Sequence, residues 1–297
     1  MNFPRVDAGW LALSLIGPGA FASNQTLTTG IYGGTLGAGG ATAAERMAYG
    51  QNPAALQPSR TGLTRVGFHL DFHRPFGLED VEVSEAGVFG DFAQAGLGLA
   101  WRETGVDDLY REQGLSLNPV LRVGSSSANF PGHLDFGGTW TWWFTEVAGV
   151  STSLDCTQGL GLVWRMLPRL KVGGFATGLE MPGSRSSPPE KIYQWGIEAA
   201  SRDPDVGRSD HTSQILRLDF RKAGTHAWRS LAALTLSPHP ALKISAGFAS
   251  PPFQVSFGLN LAWEGLQWYQ SLRYHRYLGR TFLSGCAYAH DIGNKGK

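Results

Sequence analysis

The sequence predicts an all-β chain: a closed antiparallel transmembrane β-barrel of about fourteen strands behind a short N-terminal hatch. Three observations carry that prediction. Apolar residues alternate with period two from Leu63 onward, the period of a strand whose two faces meet different surroundings. The second face is filled with Gly, Ser, Asn and Gln, where a soluble sandwich would show Lys and Glu to water. Tryptophans open or close the apolar series, as an interfacial aromatic girdle requires.

Residues 1–22 have the three parts of a secretory signal: Arg5, an apolar stretch from Trp10 to Ile16, and Ala20-Phe21-Ala22 before a cleavage point. Asp7 is out of place in such a leader and leaves a second reading, a first strand or core segment. Residues 23–62 form the hatch. Within them Gly37, Gly39 and Gly40 make a glycine-rich turn before a helix-like run, Ala41 to Tyr49, an arrangement that in nucleotide-binding proteins holds phosphate. That chemistry does not fit here. Thr42 stands where the third glycine of the fingerprint belongs, no Val/Ile strand precedes it, and no Gly-Lys-Ser/Thr follows. The run reaches Asn52-Pro53 after little more than two turns, and the position before proline disfavours helix. The glycines are better explained by a backbone packed closely inside a lumen, with Asn52, Pro53 and Leu56 completing the plug.

Residues 63–297 form the barrel with a short tail, the strands being segments of about ten residues, the length a tilted strand needs to cross a bilayer. Val66, Phe68, Leu70 and Phe72 oppose Arg65, Gly67, His69 and Asp71; Leu97, Leu99 and Trp101 oppose Gly96, Gly98 and Arg102. Leu115, Leu117, Leu121 and Val123 oppose Ser116, Asn118 and Arg122, and Leu160, Leu162 and Trp164 oppose Gly159, Gly161 and Arg165. Phe253 to Trp263 alternates against Gln254 to Glu264, and Trp268, Leu272 and Tyr274 oppose Tyr269, Ser271, Arg273 and His275. Turn signals such as "HRPFGLED", "MPGSRSSPPEK", "SPHPA" and "SPP" separate the runs. Trp101, Trp164 and Trp263 close apolar series and Trp268 opens one, the positions of an aromatic belt in contact with outer-membrane lipid.

The polar face then lines the lumen. It carries Arg65, His69, Asp71, Arg102, Arg122, Arg165, Arg217, Asp219, Arg221, Lys243, Glu264 and Arg273, so bases outnumber acids. Two readings stand side by side: a basic lumen that attracts an anionic small molecule, or a network of paired charges that ties the inner wall together.

Composition excludes several classes. Only 16% of the 297 residues are charged, beside 40 glycines and 10 tryptophans, and the formal net charge of +1 leaves no footprint for nucleic acid. No apolar run of about 18 residues offers a transmembrane helix. Cys156 and Cys286 are isolated and suggest neither a disulfide framework nor a metal clip. There is no G-x-S-x-G elbow, and Ser and His are scattered without a shared motif, so no catalytic residue and no cofactor is expected. His69 and His73 lie about 13 Å apart at strand rise, too far for one metal, and no metal site is expected.

The stretch "GQNPAALQPSRTGLTRVGFHLDF" resembles the segment before the first strand of FadL-like outer-membrane barrels, the long-chain fatty-acid transporter superfamily, including the PorV type associated with type IX secretion. There a small-residue segment ends in Asn-Pro-Ala-Gly-Leu and then runs into the barrel; Asn52, Pro53, Ala54, Ala55 and Leu56 match it except for the glycine. "RPFGLED", "GLGLAWRETGVDDLYRE" and "LKISAGFASPPFQVSFGLNLAWEGLQWYQSLRYHRYLG" also look like this family. The resemblance implies a non-enzymatic barrel in the outer membrane of a Gram-negative-type bacterium. It implies passive passage of small hydrophobic or amphipathic molecules or, from the PorV type, a docking body for secretion-system proteins. Two departures stand out: "ERMAYGQNP" lacks the family's acidic pair, and the chain ends "AHDIGNKGK", which reads as an extension beyond the last strand.

Overall fold

The computed structural model describes residues 52–56 and 64–292, apart from the stretches 79–80, 93, 107–108, 124–131, 149, 181–189 and 202–211. The expected signal at 1–22 and Gly37, Gly39 and Gly40 of the expected plug lie outside the described residues.

Fourteen strands close into one antiparallel barrel. They are β1 (Thr64–Arg74), β2 (Val81–Asp91), β3 (Ala95–Val106), β4 (Tyr110–Val123), β5 (His133–Val147), β6 (Val150–Leu167) and β7 (Leu170–Glu180), followed by β8 (Ile192–Ala200), β9 (Ser213–Ala223), β10 (Arg229–His239), β11 (Leu242–Ser250), β12 (Gln254–Trp263), β13 (Leu266–His275) and β14 (Gly279–Ile292). Each strand pairs with the next, and β1 meets β14 in an unbroken register from Thr64↔Ile292 to Arg74↔Phe282. Closure leaves no edge, so every strand finds its backbone partners inside the wall.

Period two decides which way each side chain points, and here the greasy face points out. Along β1, Val66, Phe68, Leu70 and Phe72 are 39–61% exposed, whereas His69, Asp71 and His73 are 0–3% exposed. Soluble proteins show the opposite arrangement; an apolar exterior around a polar interior suits lipid outside the wall. Trp195, Ile197, Leu216 and Leu218 repeat the pattern on β8 and β9.

Two sequence expectations change. The residues "AHDI" are wall, not tail, because β14 runs to Ile292 and Asp291 forms an ion pair with Arg65 at the seam. Glu264 does not line the lumen. It sits exposed in the two-residue turn between β12 and β13, where Glu264 (φ 45°) and Gly265 (φ 87°) both adopt the left-handed conformation that a tight hairpin demands. The period-two count carried Glu264 one step past the strand end.

Pro119 marks an irregularity near the hatch. Lacking an N–H, it cannot donate to the ladder. The pairing of β4 with β5 lapses between Leu117↔Trp140 and Val120↔Gly137.

Candidate functional site: the hatch seat and the inner wall

Asn52 to Leu56 form a compact knot inside the barrel. The Asn52 side-chain oxygen accepts from the Ala54 N–H at 2.9 Å, and its carbonyl accepts from the Ala55 N–H at 2.9 Å. Pro53 pre-sets the backbone for the single 3-10 turn Pro53–Ala55. Asn52, Ala54, Ala55 and Leu56 are fully buried.

That wall is floored with glycine. Gly137 on β5 and Gly161 on β6 are register partners; a Cβ on the first would run into the Pro53 carbonyl, and on the second into the Asn52 side-chain oxygen. A Cβ on Gly96 would come within 3.3 Å of the Leu56 carbonyl oxygen. Beside this floor Leu56 packs with the inward Phe89, Ala100, Val120, Tyr269, Leu283 and Ala287, the larger of two apolar clusters among the described residues of the inner face. The alternation puts Gly96 and Gly161 on the inward face, but the space-making role was expected of the plug glycines rather than of these wall glycines, among which Gly137 was not named. Their signal was in plain view: the inward slots of "GLGLAW", "FGGTW" and "GLGLVW" hold glycine where other strands hold Ser, Asn or a charge.

Elsewhere the inward charges pair across neighbouring strands. Lys171, Glu198 and Arg217 occupy one register row on β7, β8 and β9. Lys171 Nζ donates to Glu198 Oε1 at 2.7 Å, Arg217 Nε to Glu198 Oε2 at 2.8 Å, and Arg217 Nη1 to the Thr235 hydroxyl at 2.8 Å. Arg122 grips Asp135 with two donors at 2.7 and 3.2 Å. Gln194 donates to Asp219 at 2.6 Å, over a slot at Gly196 that a Cβ would fill. For Arg122, Arg217 and Arg65 the paired-charge reading therefore describes the wall. Arg273 stands in the same part of the inner wall as Arg221 and Arg229.

A third group straddles the seam. His69 and Asp71 point inward from β1, Glu85 is the register partner of Asp71 on β2, and Arg102 that of Glu85 on β3. His69 Nε2 lies 3.1 Å from Glu85 Oε1, and Arg102 Nε donates to Glu85 Oε2 at 2.8 Å. From β13, Tyr269 donates its hydroxyl to Asp71 Oδ1. It reaches across β14 because Gly285 lies between, where a Cβ would strike both side chains. The sequence pattern marked His69 and Asp71 but overlooked Glu85, whose inward slot in "VEVSEAGVF" follows from the same alternation.

The expected belt is split. Trp263 is the last residue of β12 and 71% exposed, Trp268 lies near the start of β13, and Trp164 lies near the end of β6. Trp101 faces outward but sits mid-strand, since β3 runs on to Val106. Its apolar series ended there only because Arg102 and Glu103 follow, and the strand did not end with it.

No family model matches the chain, and no curated protein matches it. Solved barrels do. The CymD monoaromatic hydrocarbon channel superposes with a TM-score of 0.61 at 13% identity, covering 92% of this chain and all of that one. The deltaS2 mutant of the TodX monoaromatic hydrocarbon channel gives 0.51 at 11% identity over 89% of this chain and 98% of its own. A FadL homologue from Pseudomonas aeruginosa gives 0.50 at 10% identity over 88% and 97%. At such identities the likeness is one of fold, that of an outer-membrane barrel.

Proposed function

We propose that this chain is an outer-membrane channel for small hydrophobic molecules, with residues 23–62 as a hatch seated in its lumen. One observation carries the reading: Asn52–Leu56 is wholly buried on a glycine floor, and Leu56 completes an apolar cluster with Phe89, Val120 and Leu283. An apolar cluster inside a polar lumen offers a small hydrophobe a resting place that a water-filled pore does not. The similarity to channels named for monoaromatic hydrocarbons supports this substrate class for the present chain.

Uptake into liposomes tests the proposal. The purified barrel is reconstituted with and without residues 23–58, and entry of a small aromatic hydrocarbon is followed against protein-free vesicles. Transport by the full chain, accelerated by the deletion, is expected. Equal rates with and without the segment sink the hatch, and rates no faster than bare vesicles sink the channel. Copurification of stoichiometric partner proteins from native membranes would point instead to the docking role.

A further inference from the structure

We propose that His69, Asp71 and Glu85 form a binding site for a divalent cation of the zinc type, which staples β1 to β2 beside the barrel seam. One donor atom from each of the three lies within 4.8 Å of the others, and all three residues are buried. A four-coordinate zinc ion brings its ligands about 3.3 Å apart, so small side-chain movements close the set around one ion.

A cluster of acids alone would carry no such proposal; the state of Asp71 does. Its side chain is 1% exposed, Tyr269 serves Oδ1, and Oδ2 has no hydrogen-bond partner although it is buried. A carboxylate oxygen sealed from water without a partner is costly. Charge leads the same way. Arg102 pairs with Glu85, and among the described residues no cation pairs directly with Asp71.

The surroundings resemble the outer shell of a metal site. Ligating carboxylates are typically held by further hydrogen bonds that fix their orientation. Here Tyr269 holds Asp71 and Arg102 holds Glu85. The donor set selects the ion: one imidazole and two carboxylates suit zinc, whereas calcium takes six to eight oxygens and magnesium keeps an octahedral shell of water and oxygen. The sequence reading judged His69 against His73, four positions apart on one strand; the fold supplies instead Asp71, two positions on, and Glu85 across the ladder. Neither the hatch nor the channel reading is needed for this site.

The test uses the full chain, stripped with a chelator in detergent and then titrated with Zn²⁺, Ca²⁺ and, for its visible spectrum, Co²⁺. Expected are one Zn²⁺ per barrel, a Co²⁺ spectrum of four-coordinate intensity, no Ca²⁺ uptake, and a higher temperature for conversion of the folded to the unfolded gel band with Zn²⁺. Asp71→Asn, close in shape, should abolish stoichiometric Zn²⁺ uptake, and Tyr269→Phe should weaken it by about 10–100-fold. Glu82→Gln, on the exposed end of β2, should leave it unchanged. Should Asp71→Asn fail to fold, Glu85→Gln and the wild-type Co²⁺ spectrum decide. A wild-type barrel that takes up no Zn²⁺, or takes up as much after Asp71→Asn and Glu85→Gln, overturns the proposal.

Discussion

The two sides of the lumen are filled by different means. On β3, β5 and β6 the inward slots at 96, 137 and 161 are glycine, and Asn52–Leu56 occupies the space that side chains would have taken. On β7 to β10 the inward slots hold Lys171, Glu198, Arg217 and Thr235, which satisfy one another across the ladder without any added segment. Outside, the two sides are alike: Leu97 and Leu99 are as exposed as Ile197 and Leu218. Lipid therefore sets one rule for the outer face all around, while the inner face is free to differ from strand to strand. What differs is whether the wall completes its own polar contacts or leaves room for another segment of the chain.

The largest effect is expected where the self-sufficient side is broken. Glu198→Gln leaves Lys171 and Arg217 as buried cations with no acid between them, and should cost about 3–5 kcal/mol in urea unfolding from vesicles. Replacing all three by apolar residues of similar size should cost far less, since the loss comes from the unpaired charges. If the single and triple variants prove equally unstable, the row is not a closed unit and the contrast fails.

Next come charges on the outer wall. Leu99→Arg on β3 and Leu218→Arg on β9 both lie near mid-strand, and each should cost about 2–4 kcal/mol in the same assay. Equality matters more than size here. A large difference would mean that the hatch side and the charged side meet different surroundings outside as well as in.

Smaller still is the effect of filling the glycine floor. Gly137→Ala puts a methyl group where the Pro53 carbonyl lies, an overpacking of about 1–3 kcal/mol that displacement of the hatch relieves. Faster hydrocarbon uptake and easier proteolysis of residues 23–62 are the expected signs. Gly90→Ala, whose new carbon meets nothing nearer than 3.7 Å, is the control and should change neither.

Much of this was legible in the sequence because a barrel wall in lipid obeys one local rule, period two, with no tertiary override of direction. The alternation in "TRVGFHLDF" put His69 and Asp71 inside, and the fourteen strands could be counted from turn signals. Ends were less legible. Glu264 and Trp101 were misplaced because alternation does not say where a strand stops, and "AHDI" was read as tail because its polar residues hid a pairing with β1 that lies more than 200 positions away. The partners of each inward group were not legible at all. Glu85 meets His69 and Arg102, and Tyr269 meets Asp71 past Gly285, through register between strands, which no single strand's pattern encodes.

The smallest effect belongs to a pair that looks the same as the largest on distance alone. Arg74 Nη2 lies 2.8 Å from Glu82 Oε1 at the end of β1 and β2, the same separation as Arg217 Nε from Glu198 Oε2. The side chains of the first pair are each 63% exposed, those of the second 5% and 4%. Water solvates either member of the exposed pair as well as its partner does, so its net contribution is small and screened by salt. Glu82→Gln should leave urea unfolding within measurement error, at low and high salt alike. The Glu198→Gln variant should stay unstable at both, because ions in solution do not reach the buried row. A loss at Glu82 comparable to that at Glu198 would show that the ladder of paired charges acts through its geometry, and that its enclosure in the lumen adds nothing.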